Sequence, residues 1–141
     1  MKHQRSITDI YIKRDREILP MLFHKAKTIA KYPTSMKALC QIVAQLETPF
    51  YCISDDAALD YVRKRKLHGI RKTYATKYKQ QLFDSLYEEV KRMSCYGKYA
   101  GRSLQDITLA ALGKSAPCIG LTPWIIQFKL SRLLNRKSNR K

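Results

Sequence analysis

The chain has 141 residues, 45% of them apolar and 10% aromatic, enough to fill one core, so a single compact domain over residues 1–141 is expected. Its 28 Lys and Arg against 11 Asp and Glu leave a formal charge of +17, well beyond what solubility asks of a domain this size. No stretch approaches the ~18 apolar residues of a membrane span, and the charged N-terminus lacks the apolar run of a signal peptide, so a cytoplasmic setting is expected.

In chain order, Tyr11, Ile18, Leu22 and Ile29 recur at helical spacing, with Pro20 predicting a kink or two helices meeting near Leu19. Tyr32-Pro33 ends that segment. Ser35 caps a helix whose apolar positions are Leu39, Ile42, Val43 and Leu46. After Thr48-Pro49, residues 50–53 read as a short extended piece. Ser54 opens the next helix, with Asp55 and Asp56 in its first turn, residues 63–66 basic in its last, and Gly69 as terminator. The longest helix is expected over 71–93, on the stripe Tyr78, Leu82, Leu86, Val90 and Met93, before a loop at 94–101. Ser103 starts a short helix, residues 118–121 are extended, and Thr122 caps a last helix with Pro123 at its first position. The expectation is an all-α domain of five to six helices with flexible ends at about 1–6 and 135–141.

A shift of 68 residues aligns Ser35 with Ser103, Leu39 with Ile107, Pro49 with Pro117, Ile53 with Leu121 and Ser54 with Thr122, without gaps. Segments 35–66 and 103–134 therefore read as a possible internal repeat of helix, extended piece, helix, whose two extended pieces would lie side by side. The stretches Thr48-Pro49-Phe50-Tyr51-Cys52-Ile53-Ser54 and Ala116-Pro117-Cys118-Ile119-Gly120-Leu121-Thr122 carry a further likeness. They resemble the paired A-P-x-F-Y-x-[ST] segments of uncharacterised small basic proteins of Bacteroides-type bacteria and their phages, although the second stretch lacks the aromatic pair. The resemblance implies a bacterial or mobile-element setting and no particular chemistry.

Between Asp60 and Asp84 there is no acid, while Arg63, Lys64, Arg65, Lys66, Arg71, Lys72, Lys77 and Lys79 are basic, with His68, Tyr74 and Tyr78 among them. Long cations reach phosphate oxygens and a tyrosine offers a stacking face, so this run, with Tyr74, is the leading candidate for nucleic-acid contact. A second cluster follows the last acid, Asp106: Lys129, Arg132, Arg136, Lys137, Arg140 and Lys141. On its helix Ile126, Leu130 and Leu133 face the core, and Lys129, Arg132 and Arg136 face water. Solvated helix ends complementing the helix dipole are the plainer reading of both clusters. A basic amphipathic helix inserting Trp124 and Phe128 into lipid is the less favoured alternative.

A helix-turn-helix over 35–66 is disfavoured because about seven residues join its helices where the standard turn has three or four. No cofactor or metal is expected. The four cysteines form no C-x-x-C pair and are expected to be free and buried. His3, His24 and His68 join no nucleophile, and Asp56 and Asp60, one helical turn apart, are the weak remaining metal candidates. The expected function is non-enzymatic binding of DNA or RNA through its phosphates. The rival is an assembly protein of a phage or mobile element that docks on an acidic protein.

Overall fold

The computed structural model describes residues 7–30 and 34–138; the side chains of 7, 8 and 136–138 lie outside the description. The fold is all-α. Helix α1 (Ile7–Lys13) passes through a π-helical turn (Arg14–Ile18) into α2 (Leu19–Ala30), and α3 (Met36–Val43), α4 (Asp55–His68), α5 (Lys77–Cys95), α6 (Leu104–Ala111) and α7 (Pro123–Ser138) follow. A short 3₁₀ turn, Gly97–Tyr99, lies after α5. The expected break at Pro20 is a change of winding: proline cannot donate to the preceding turn, and the wider π register, with the Leu19 N–H on the Arg14 carbonyl, carries the helix past it.

The helix expected over 71–93 begins only at Lys77. Thr76 caps it by accepting the Lys79 N–H at 3.2 Å, while Arg71 and the Tyr74 backbone are drawn back onto side chains of α5, which keeps 70–74 out of helical geometry. At the other end of the chain, the segment expected to fray from 135 continues as helix to Ser138; residues 1–6 and 139–141 lie outside the described residues. Three cysteines are buried as expected, and Cys95 is exposed, because α5 ends there on the wet side.

The 68-residue offset recurs in the local geometry. Both α3 and α6 have eight residues and start at offset positions, and their caps Ser35 and Ser103 accept the N–H of Ala38 and Asp106, each at 3.1 Å. Ser54 and Thr122 cap α4 and α7 by accepting from Ala57 and Ile125, each at 3.3 Å. Between them, Thr48 and Ala116, offset partners themselves, exchange two antiparallel backbone hydrogen bonds of 3.0 Å. Both residues are buried, so each backbone group must find a partner, and a reciprocal pair between equivalent residues is two-fold symmetric by construction.

Helix packing obeys the same exchange. Helix α3 packs against α2 and α7, while α6 packs against α5 and α4. Two lobes result, α2-α3-α7 and α4-α5-α6, each taking its last helix from the other copy. One core gathers Leu19, Leu22, Cys40, Val43, Ile126 and Leu130; the other gathers Tyr61, Val62, Leu86, Val90, Ile107 and Leu112. The extended pieces thread between them: Cys52 and Ile119 enter the first core, Tyr51, Ile53 and Cys118 the second. A helix-turn-helix over 35–66 is thus replaced by crossed pairing.

Candidate nucleic-acid interface

The basic run 63–79 spans the last turns of α4, the connection 69–76 and the first turn of α5. Gly69 closes α4 in the left-handed region, φ 67°, and the Ile70 N–H returns to the Lys64 carbonyl at 3.0 Å. The chain then turns back because Asp84 on α5 collects cations. Arg71 bonds it twice, Nη2 to Oδ2 at 2.6 Å and Nε to Oδ1 at 3.3 Å. Arg65 Nη1 reaches Oδ1 at 3.1 Å and the Tyr61 hydroxyl at 3.2 Å, with its guanidinium 4.2 Å from the centre of the Tyr87 ring. The Tyr61 hydroxyl donates to the same carboxylate. Gln80 completes the set: Nε2 donates to Asp84 at 3.1 Å and to the Lys72 carbonyl at 3.2 Å, and Oε1 accepts the Tyr74 N–H at 2.8 Å.

Partial burial alone would raise the Asp84 pKa. The hydrogen bonds from Arg71, Tyr61 and Gln80 outweigh it and hold the carboxyl at about 2. Burial, reinforced by the adjacent Asp84, pushes Tyr61 up. Arg65 and Arg71 are therefore structural ties, each sharing one carboxylate, and only part of their charge is left for a ligand.

The remaining cations of the run, Arg63, Lys64, Lys66, Lys72, Lys77 and Lys79, are exposed. Arg63 touches Gln105 at 3.5 Å and Lys64 pairs with Asp60 at 3.3 Å. Lys66, Lys72, Lys77 and Lys79 have no carboxylate partner among the described residues. Lys72 and Lys79 flank the Tyr74 ring, 5.6 and 4.8 Å from its centre, and Lys77 lies 5.3 Å from that of Tyr78. Tyr74 itself is not a free stacking face. It is half-buried, stacks on Phe83 at 4.5 Å and meets Tyr61 at 6.1 Å, and burial pushes its hydroxyl up to about 12. Tyr78 packs against the α2-α3-α7 core.

In the second cluster, Lys129 is half-buried and bonds Asp15 at 2.9 Å, with Arg14 on the same carboxylate at 2.9 Å. Burial opposes ionisation of Asp15, and these two cations more than offset it, holding the carboxyl below its ordinary range. Lys129 thus ties α7 to the π turn, and part of its charge is taken by Asp15, whereas Arg132 beside it is exposed. Arg136 and Lys137 fall in the last turn of α7, and their side chains, with Arg140 and Lys141, lie outside the described residues. Lys64, near the end of α4, and Arg132, on α7, occupy equivalent positions of the two offset-related helices.

Trp124 and Phe128, read in the sequence only as lipid-facing residues, form an open aromatic pair: 74% and 53% exposed, rings 6.2 Å apart and 14° from parallel. The Arg132 guanidinium lies 5.7 Å from the Phe128 ring centre. Their i, i+4, i+8 spacing on the charged side of the helix was the available signal. Asp60 is taken up by Lys64, and no group of three His, Cys, Asp or Glu is placed to hold a metal ion among the described residues. Nor is any described helix long and apolar enough to cross a membrane. Comparison with protein-family models, with curated proteins and with solved structures gave no match.

Proposed function

We propose that the protein binds DNA or RNA without catalysis, chiefly through backbone phosphates, on the surface formed by the end of α4, the 69–76 connection and the start of α5. One observation carries this reading: Lys66 near the end of α4, Lys72 on the connection, and Lys77 and Lys79 at the start of α5 stand exposed with no carboxylate partner among the described residues, around a connection held by Asp84 through Arg71 and by Gln80 through the backbone of Lys72 and Tyr74. Like charges gathered along an acid-free run cost self-repulsion, which phosphates relieve while their condensed counterions are released. Lysine suits this role because its compact ammonium meets phosphate oxygens without demanding one geometry. Arg132, exposed on α7, is the second contact. Of the connection's polar side chains, Arg71 is tied to Asp84 and Thr76 caps α5, so lysine supplies its main open contact and phosphates rather than base edges are the expected target.

The test is fluorescence anisotropy with labelled duplex DNA, single-stranded DNA and RNA at about 50 and 200 mM salt. The variant changes Lys66, Lys72, Lys77 and Lys79 together to Gln and leaves Arg65 and Arg71 intact. Binding that weakens log-linearly with salt and falls at least tenfold in the variant is the expected result. Absence of binding to all three ligands at low salt would sink the proposal. Salt-insensitive capture of an acidic protein would replace it with the docking reading.

A further inference from the structure

We propose that Trp124, Phe128 and Arg132 form a stacking site for the bases of a single-stranded nucleic acid, so that the protein prefers unpaired strands; this rests on the nucleic-acid reading above. Helices α4 and α7 begin at equivalent positions, and the residues equivalent to Trp124, Phe128 and Arg132 are Asp56, Asp60 and Lys64. Core positions agree between the helices, Ala58 with Ile126 and Val62 with Leu130, all buried. The scaffold therefore asks for solvated polar side chains on this outer face, and α4 supplies them. On α7 the same face carries a tryptophan 74% exposed and a phenylalanine 53% exposed, whose hydration costs free energy that packing does not recover.

Ring geometry and charge both suit unpaired bases. The two rings, one helical turn apart on α7, lie nearly parallel, 14° apart with centres separated by 6.2 Å. Each flat ring accepts a base of any identity, and Arg132, next along the stripe, meets the phosphate that follows. No Asp or Glu occurs in residues 107–141, so nothing on this helix repels a polyanion, whereas Asp56 and Asp60 give the equivalent face of α4 the wrong sign. A duplex keeps its base faces stacked inside and offers these rings nothing but edges and phosphates. An anionic lipid surface fits less well, because the continuous apolar side of α7, Ile126 and Leu130, is spent in the core.

Trp124 is the single tryptophan of the chain, so its fluorescence reports this site alone. Titration with an unlabelled thymidine oligonucleotide, with a duplex of equal length, and with phosphatidylcholine-phosphatidylserine vesicles is read beside anisotropy of labelled forms of both nucleic acids. The single strand is expected to quench Trp124 strongly and the duplex weakly. Trp124→Ala and Phe128→Ala are each expected to weaken single-strand binding about tenfold and duplex binding less than twofold, with unchanged thermal unfolding. Trp124→Phe, which keeps a ring, is expected to stay within about threefold of the parent. Oligonucleotide binding seen by anisotropy without quenching, or equal losses for both strand types, overturns the stacking site and leaves phosphate binding standing. A blue shift with vesicles and none of these responses to oligonucleotides also overturns it, in favour of a membrane surface. Failure of every nucleic acid to bind removes both readings together.

Discussion

Asp84 organises four side chains from two helices and the connection between them, and it is the residue whose loss should be felt most widely. Its ordinary pKa of 3.8 falls to about 2 in the folded chain, against the opposing effect of its own partial burial. A depressed carboxylate contributes its stability in full above the unfolded pKa and loses it as pH falls through the folded one, here between about pH 4 and pH 2. Asp84→Asn is therefore expected to cost about 2 kcal/mol at pH 7, measured by urea unfolding, with the gap to the parent closing as pH approaches 2. A gap of equal size at both ends would mean that the ionised carboxylate is not what holds Arg65 and Arg71. The sequence displayed the raw material, an acid-free basic run closed by Asp84. That the acid turns back to bind the run was not legible, because Arg65 and Asp84 lie nineteen positions apart and meet only once α4 and α5 pack.

Helix starts were the most legible elements, since a cap is decided within four residues. Ser35, Ser54, Ser103 and Thr122 all cap where the chain suggests, each with a side-chain oxygen on a free N–H of the first turn. Replacing any one by Ala is expected to cost about 1 kcal/mol, and the offset-related pair Ser35 and Ser103, with matching geometry, should give values within a few tenths of each other in chemical denaturation. The start of α5 was misread because 71–76 contains no glycine or proline, and what stops the helix there is the reach of Gln80 and Asp84. Glycines show the same contrast between local and tertiary control. At Gly69, φ 67°, an added Cβ meets open space, so Gly69→Ala should cost only the left-handed backbone penalty of about 1 kcal/mol. At Gly120, φ 83°, that Cβ would stand 2.6 Å from the Leu82 Cδ2, and Gly120→Ala should cost clearly more, on the order of 2–4 kcal/mol by the same assay. Equal penalties at the two sites would contradict the close approach of the 116–122 segment to α5.

At the scale of the molecule, the offset of 68 residues was visible in the spacing of caps and prolines, but the exchange of last helices between copies was not. A two-fold swap leaves every local pattern intact and changes only which copy covers which core, so no window of sequence records it. The same arrangement sets Lys64 and Arg132 at equivalent places, one per lobe. Each phosphate neutralised adds about 0.9 to the slope of log affinity against log salt on duplex DNA, or about 0.7 on a single strand. Changing the exposed Lys66, Lys72, Lys77 and Lys79 to Gln should thus flatten the slope by up to about 3.6 on duplex DNA, or about 2.8 on a single strand, while leaving a residual dependence from α7. A slope unchanged by the four substitutions would place the phosphate contacts elsewhere.

Crossed pairing also gives the chain an order of assembly. The α4-α5-α6 lobe is built from one uninterrupted stretch, with Tyr51 and Ile53 just before it and Ala116 and Cys118 just beyond, whereas the α2-α3 pair is completed by α7, which follows that whole stretch. On an emerging polypeptide α2 and α3 consequently precede the helix that completes their core, and Leu22, Leu39 and Val43 stay only partly covered until α7 follows. In pulsed hydrogen exchange during refolding, the amides of α4 to α6 should gain protection before those of α3 and α7, although α3 lies nearer the N-terminus than any of them.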